Sequence, residues 1–342
     1  MILRVARFLL LACPTFLAAH ECWLQPSRFD PAPGQELVLR LNVGMNFQGE
    51  ARPFNSQRAA KLVHHSAAGA ADWTGQTKGQ TELAFALPSP GTHVLALDSN
   101  PSFITLEAEK FNAYLKEEGL TAILAQREQA GETNTPGKER YIRNIKTLLM
   151  AGGRSDDTWK VRTGQRLELV PLDNPATVQP GGTLRVQLFF AGQPLADNLV
   201  RAWHRTGDKL TVIDVRTSAT GEAAFTLPAA GAWMLSTVHM ARVTGDDKAD
   251  WESLWGNLTF AIPAPAATHP VKGVIMGIMT DKTALLVKHE EVPGVMRAMT
   301  MMFKVEPAVL ERVKRTDAIQ AKMQRRADGW WLLDVEVVAA GK

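Results

Sequence analysis

Leu37, Leu39, Leu41 and Val43 stand at every second position of "PAPGQELVLRLNVG", just after a Pro-Gly pair. A period of two puts these side chains on one face of an extended strand, and no helix can reproduce it. Further strand-like runs follow at "AAKLVHHSA", "TELAFAL" and "GTHVLALDS", each bounded by Gly, Pro or Asn. Short strands at such spacing bury their apolar faces by stacking two sheets, so the segment 20–106 is expected to form a β-sandwich. The pattern returns over 164–262, from "QRLELVPLDNPATVQPGGTLRVQLFF" to "SLWGNLTFAIP", with turns at "QPGG" and "ATGE". This second run reads as an Ig-like sandwich.

Between the two runs the period changes. Phe111, Tyr114, Leu115, Ile123 and Leu124, then Tyr141, Ile142, Ile145, Leu148 and Leu149, recur at three and four residues. That spacing predicts two amphipathic helices, and hence a helical insert over 107–153 with Gly152 and Gly153 as its stop. Segment 263–270, "PAPAATHP", reads as a Pro/Ala linker. Beyond it, 271–342 offers strands at "VKGVIMGIM", "ALLVKHE", "AMTMMFKV", "AIQAKMQRR" and "WWLLDVEVV". Five short strands in so short a segment predict a closed barrel of the OB type. The expected fold class is therefore mainly β: two Ig-like sandwich domains with a helical insert, then a small five-stranded OB-type barrel.

Composition narrows the function. A net charge of +3 over 342 residues is too slight to imply nucleic acid, and no basic run carries interleaved aromatics. Two cysteines, Cys13 and Cys22, exclude a disulfide framework. Residues 1–19, "MILRVARFLLLACPTFLAA", read as a secretory signal peptide cleaved after Ala19; lipidation at Cys13 would leave an apolar core shorter than such a peptide needs. No later stretch has the length of a membrane span. The mature chain is expected to be exported and periplasmic.

Cleavage after Ala19 makes His20 the first residue of "HECWLQPSRF". Its free amine and Nδ1 form a chelate suited to divalent copper or nickel, unless His20 is merely where the chain begins. His64, His65 and His93 read as ordinary strand-face residues, and His204 as an exposed residue before a turn. "AHECWLQPSRFDPAPGQ", "EKFNAYLKEEGL", "GKERYIRNIKTLL" and "ADWESLWGNLTF" together resemble an exported, nickel-uptake-associated family called NikM-like, over about residues 19–262. The resemblance implies a periplasmic pair of sandwiches in which the N-terminal His and a later His hold a transition metal. His239, Asp250 and Glu252 in "STVHMARVTGDDKADWESLW" are the expected partners of His20, for Ni(II), Co(II) or Cu(II). Cys22 departs from that family, and reads as a soft ligand or, preferably, a small buried hydrophobe.

The last unit carries seven of the twelve methionines. In "KHEEVPGVMRAMTMMF", Met299 and Met301 lie two apart on a strand and share a face, whereas Met302 points the other way into packing. Two thioethers with the imidazole of His289 make a neutral, soft site of the type Cu(I) or Ag(I) selects. Clustered methionine as adaptable core filler is the competing explanation. The segment closely resembles the copper-binding segment of CusF-like periplasmic copper chaperones, over about residues 271–338. That resemblance implies that His289, Met299 and Met301 are Cu(I) ligands. Met296 stands where the family has a metal-stacking Trp; it adds a thioether or leaves the ion open, and Trp330 or Trp331 substitutes only if the last strand crosses beneath the site.

No G-x-S-x-G, H-E-x-x-H, P-loop or dinucleotide fingerprint occurs. The expected function is a non-enzymatic periplasmic metallochaperone in copper or nickel trafficking, uptake or tolerance, with metal ions and a membrane metal transporter or efflux component as its expected partners. A structural or cell-surface module, or a histidine-brace copper monooxygenase, are the alternatives.

Overall fold

A computed structural model describes residues 20–326 and 328–338. The signal peptide and cleavage site expected from the sequence, and Cys13, lie outside the described residues. The chain divides into two compact units, one up to Pro263 and one from Ala264.

The first unit opens with β1 (Glu21–Pro26), β2 (Glu36–Met45), β3 (Gln48–Arg52), β4 (Lys61–Ser66) and β5 (Gly69–Asp72). A short helix, α1 (Thr74–Thr77), leads to β6 (Glu82–Ala86), β7 (Gly91–Asp98) and β8 (Ser102–Leu106). Helices α2 (Ala108–Glu117) and α3 (Thr121–Gln129) precede the long β9 (Gly137–Ala151). Then come β10 (Leu167–Pro171), β11 (Thr183–Phe190), β12 (Gln193–Pro194), β13 (Leu199–Thr206) and β14 (Lys209–Arg216). β15 (Glu222–Thr226), β16 (Gly231–Arg242) and β17 (Trp251–Ile262) complete the unit. No helix among the described residues is long and apolar enough to cross a membrane.

The architecture is mainly β, and the sandwiches share a sheet. Nine strands form one continuous sheet in the order β14-β13-β16-β17-β9-β7-β4-β5, with β8 also paired to β9. The parallel pairing of β17 with β9 joins its halves. A sheet of β1, β2, β3 and β6 buries Leu24, Leu37, Leu39 and Leu41 against Leu95, Leu97, Ile145 and Leu149. A sheet of β10, β11, β12 and β15 buries Leu169, Leu184, Val186 and Phe225 against Leu235, Leu258, Phe260 and Leu148. Ile145 and Leu148 differ in parity along β9, so the two outer sheets lie on opposite faces of the central one. The boundaries expected at 106, 153 and 164 therefore separate no compact units.

The helix expected over Tyr141–Leu149 is corrected: those residues lie in β9. Flanked by strands and covered on both faces, β9 shows apolar residues on both sides, and Tyr141, Ile142, Ile145, Leu148 and Leu149 then imitate a period of three to four. The helical segment is confined to α2 and α3, which break at Gly119 (φ 68°), where Leu120 N–H donates to the Leu115 carbonyl. Their apolar stripe, Phe111, Leu115 and Ile123, covers Val238, Met240, Trp251 and Trp255. Gly152 and Gly153, both at positive φ, end a strand.

The second unit contains β18 (Thr268–Met279), β19 (Ala284–His289), β20 (Met299–Lys304), α4 (Pro307–Arg312), β21 (Ala318–Arg326) and β22 (Gly329–Val338). The strands close as β18-β19-β20-β22-β21, the five-stranded OB-type barrel expected from the sequence. Thr268–Pro270, assigned to the linker from composition, already pair with β21. Val271, Ile275, Leu285, Val287, Phe303, Ile319, Met323 and Leu332 fill the interior.

His64 and His93 are buried in the first unit. The Nε2 of His93 is 3.0 Å from the Ser89 carbonyl oxygen and donates to it, so its Nδ1 accepts from Nε2 of His64 at 2.9 Å. Both rings are held neutral. Burial, followed by the nearby His93 and His65, pushes the His64 pKa from 6.5 down to about 4. The unfolded chain therefore binds this proton first on acidification, and the stability present at neutral pH is lost as pH falls from 6.5 towards 4. Glu118 acts in the opposite sense, because burial and then Glu21 raise its carboxyl pKa to about 8. Comparing the protein with His64→Gln isolates the histidine. The stability advantage of the wild type in urea is expected to shrink by about 2 kcal/mol between pH 7 and pH 5; an advantage constant over that interval contradicts the assignment.

Candidate metal centre

β19 and β20 run antiparallel with His289 opposite Met299 and Val287 opposite Met301. Residues directly opposite share a face, so His289, Met299, Met301 and Phe303 form one inward-directed row. Phe303 is fully buried, Met301 is half-buried, and Met299 is 50% exposed. The row thus runs from the barrel interior to solvent. Met302 points outward, as its position requires, but it is 43% exposed rather than packed.

His289 is 2% exposed and meets the Phe303 ring edge-to-face at 5.7 Å. Its Nδ1 lies 2.6 Å from the Glu290 carbonyl oxygen, which can only accept. The ring proton is therefore fixed on Nδ1, and the lone pair is left on Nε2. No group among the described residues satisfies that buried Nε2. A buried ring nitrogen without a partner costs free energy unless something fills it, and a metal ion does so. Gly273 on β18 permits the crossing: a Cβ there would stand 2.7 Å from the Lys288 carbonyl oxygen and 2.9 Å from the His289 Cα. A Gly in a strand is the sequence signal of such an approach, and β18 carries two, Gly273 and Gly277.

The loop between β19 and β20 turns at Pro293-Gly294 and is closed by Val292 and Met296, whose N–H groups donate to each other's carbonyls. Half-buried Met296 packs against the barrel core. The tryptophans lie elsewhere. Trp331 pairs with Lys304, the far end of β20, about 16 Å along the strand from Met299 at ~3.3 Å per residue. Its indole donates to Asp328 and lies under Arg326. Trp330 packs on the barrel core.

The residues expected around His20 are not assembled. His239 lies on the face of β16 turned toward Phe190, with ring centroids 4.4 Å apart, and burial lowers its pKa. β1, which begins beside His20, packs on the other face of this sheet, where its Leu24 carbonyl accepts from the Thr259 hydroxyl of β17; Thr259 differs in parity from Leu254, the residue opposite His239. The central sheet therefore stands between the two histidines. Glu252 is bound by Arg140 and by both Nη atoms of Arg166, and the nearby backbone N–H of Asp250 donates to the Lys138 carbonyl. Among the described residues no three His, Cys, Asp or Glu side chains stand together as a metal site. His204 is buried, not exposed as expected: its ring nitrogens meet the Ala232 carbonyl and Thr206 hydroxyl at 2.8 and 2.9 Å. Cys22 is 4% exposed in the core, and burial raises its thiol pKa, so it is a small buried hydrophobe.

The fold and this face define a double β-sandwich on a shared sheet, followed by a closed barrel with a His/Met row. Residues 17–241 match the family model described as domain of unknown function DUF4198, and the chain belongs to that family. Residues 268–337 match the model of the copper binding periplasmic protein CusF. Among solved structures, apo-CusF residues 6–88 from Escherichia coli is 21% identical, covering 22% of this chain and 92% of that one, with a TM-score of 0.21. The CusF-Ag(I) structure of residues 10–88 from Escherichia coli is 20% identical over 22% of this chain and 95% of that one, with a TM-score of 0.20. Trypsin-activated alpha-2-macroglobulin from Escherichia coli is 8% identical over 94% of this chain and 21% of that one, again at 0.20. No curated protein matches the sequence.

Proposed function

We propose that the chain is an exported, periplasmic copper carrier that holds one Cu(I) as cargo at His289, Met299 and Met301, with the half-buried Met296 beside them. The observation that carries this reading is the buried, unpartnered Nε2 of His289 on the same face as two thioethers. A neutral imidazole and neutral sulfurs suit Cu(I) or Ag(I) and are poor ligands for Mg or Ca. The match of 268–337 to a copper binding periplasmic protein supports both the metal and the compartment. Half-exposed Met299 leaves the ion reachable from solvent, which suits delivery to a membrane transporter or efflux component better than catalysis. Cleavage after Ala19 completes the reading of the compartment. For Ni(II), Co(II) or Cu(II), the cleaved chain offers the amine and ring of His20, while His239 and Glu252 are engaged elsewhere.

The test is a competition titration of the full exported chain against a Cu(I) chelator. One Cu(I) per chain is expected, with His289→Gln weakening it at least about tenfold, equivalent to ~1.4 kcal/mol. Unchanged affinity in that variant would sink the assignment of Nε2.

A further inference from the structure

A cavity of about 240 Å³ opens in the first unit between β1, β2 and β3 on one side and β8 and β9 on the other, with the β3–β4 loop at its rim. Arg52, Arg58 and Arg143 all line it, and no Asp or Glu does. Three guanidinium groups round one small cavity repel each other unless an anion joins them. Their existing partners do not fill it: the buried Glu21 and Glu139, whose carboxyl pKa values burial raises, are close enough to Arg143 for its charge to lower them, but neither lines the cavity. Arg52 reaches Glu50 at 3.0 Å, but Glu50 is 78% exposed. Arg58 makes no ion pair among the described residues. Arg143 lies over the Tyr141 and Trp255 rings, 5.4 Å from each, and its buried Nη1 has no hydrogen-bond partner among the described residues.

Neutral donors complete the lining. The Ser99 hydroxyl accepts from the Arg143 backbone N–H, and the Ser102 hydroxyl accepts from the Gln57 amide, so each keeps its own O–H to donate. Val43 and the Tyr141 ring supply an apolar wall. Arginine forks match carboxylate oxygens two at a time, while an apolar wall favours a carbon skeleton over a bare inorganic ion. We propose that this cavity binds a small organic di- or tricarboxylate. The site is separate from the proposed copper face and does not depend on it.

Isothermal titration of the metal-free full chain, at constant ionic strength, uses citrate and inorganic phosphate as probes. Citrate is expected to bind at one saturable site, phosphate at least about tenfold more weakly, and Arg58→Gln to weaken citrate at least about tenfold. Arg58 is exposed and without an ion pair among the described residues, so this variant leaves the fold intact. Arg143→Gln, checked for folding by circular dichroism, should behave likewise. Three results would overturn the proposal: no saturable citrate binding up to about 10 mM, far above the ~1 mM of a weak site; citrate binding unchanged in Arg58→Gln; or phosphate binding as tightly as citrate.

Discussion

Replacing Met299 and Met301 together with leucine is expected to weaken Cu(I) binding at least about a hundredfold, or ~2.7 kcal/mol. The change removes two thioethers from the row that contains His289 and leaves the imidazole with no soft partner on its strand pair. It should cost the fold little, because Leu and Met have similar volumes and such exchanges usually cost under ~1.5 kcal/mol. Met299 is half exposed in any case. Met302→Leu is the internal control, since Met302 points outward and is 43% exposed; its copper affinity should match the wild type. The measurement is the same chelator competition. Equal affinity in the double variant and the wild type would make the methionines surface and core filler, and the carrier reading would fail.

The second large effect lies in the central sheet. Lys146 on β9 meets Glu168 on β10 at 3.1 Å, with their side chains 3% and 0% exposed. Burial would raise the Glu168 carboxyl, but Lys146 and the Thr163 N–H and hydroxyl hold it below its ordinary value. Burial acts on the amine of Lys146 in the opposite direction and lowers its pKa. Lys146→Met leaves Glu168 buried with only half-exposed Arg162 as a charged partner, and should destabilise the first unit by about 3–5 kcal/mol in urea unfolding. The double variant Lys146→Met, Glu168→Leu removes both charges and should recover much of that loss, because an apolar pair pays no desolvation. A single variant within about 1 kcal/mol of the wild type would show that Glu168 is held by its other partners.

These cases mark what the sequence discloses. β2 and β11 are legible because one face is apolar and the other wet, whereas β9 is not, because both faces are covered and Lys146 sits in the interior. Nothing local to Ile145 or Leu148 says that their two faces serve different outer sheets. The barrel is legible from short runs and turns, and the Met299 and Met301 pair follows from strand parity, whereas His289 joins their row through the β19–β20 register. What parity could not supply is the Glu290 carbonyl that orients the imidazole, since that contact depends on the chain path after β19. The family resemblance pairs His20 with a later histidine, but that His239 lies across the central sheet from it is visible only in three dimensions. Arg52, Arg58 and Arg143 form no motif because the fold, not spacing, gathers them.

In the proposed site the His289 nitrogen and the sulfurs of Met299 and Met301 bind the same copper ion. X-ray absorption at the copper edge of the Cu(I)-loaded chain addresses this directly, because sulfur and nitrogen scatter differently in the first shell. A first shell containing one imidazole nitrogen and at least two sulfurs, with two sulfurs fewer in the Met299→Leu, Met301→Leu variant, is the predicted result. A shell of nitrogen and oxygen only, or sulfur scattering undiminished in that variant, would contradict it.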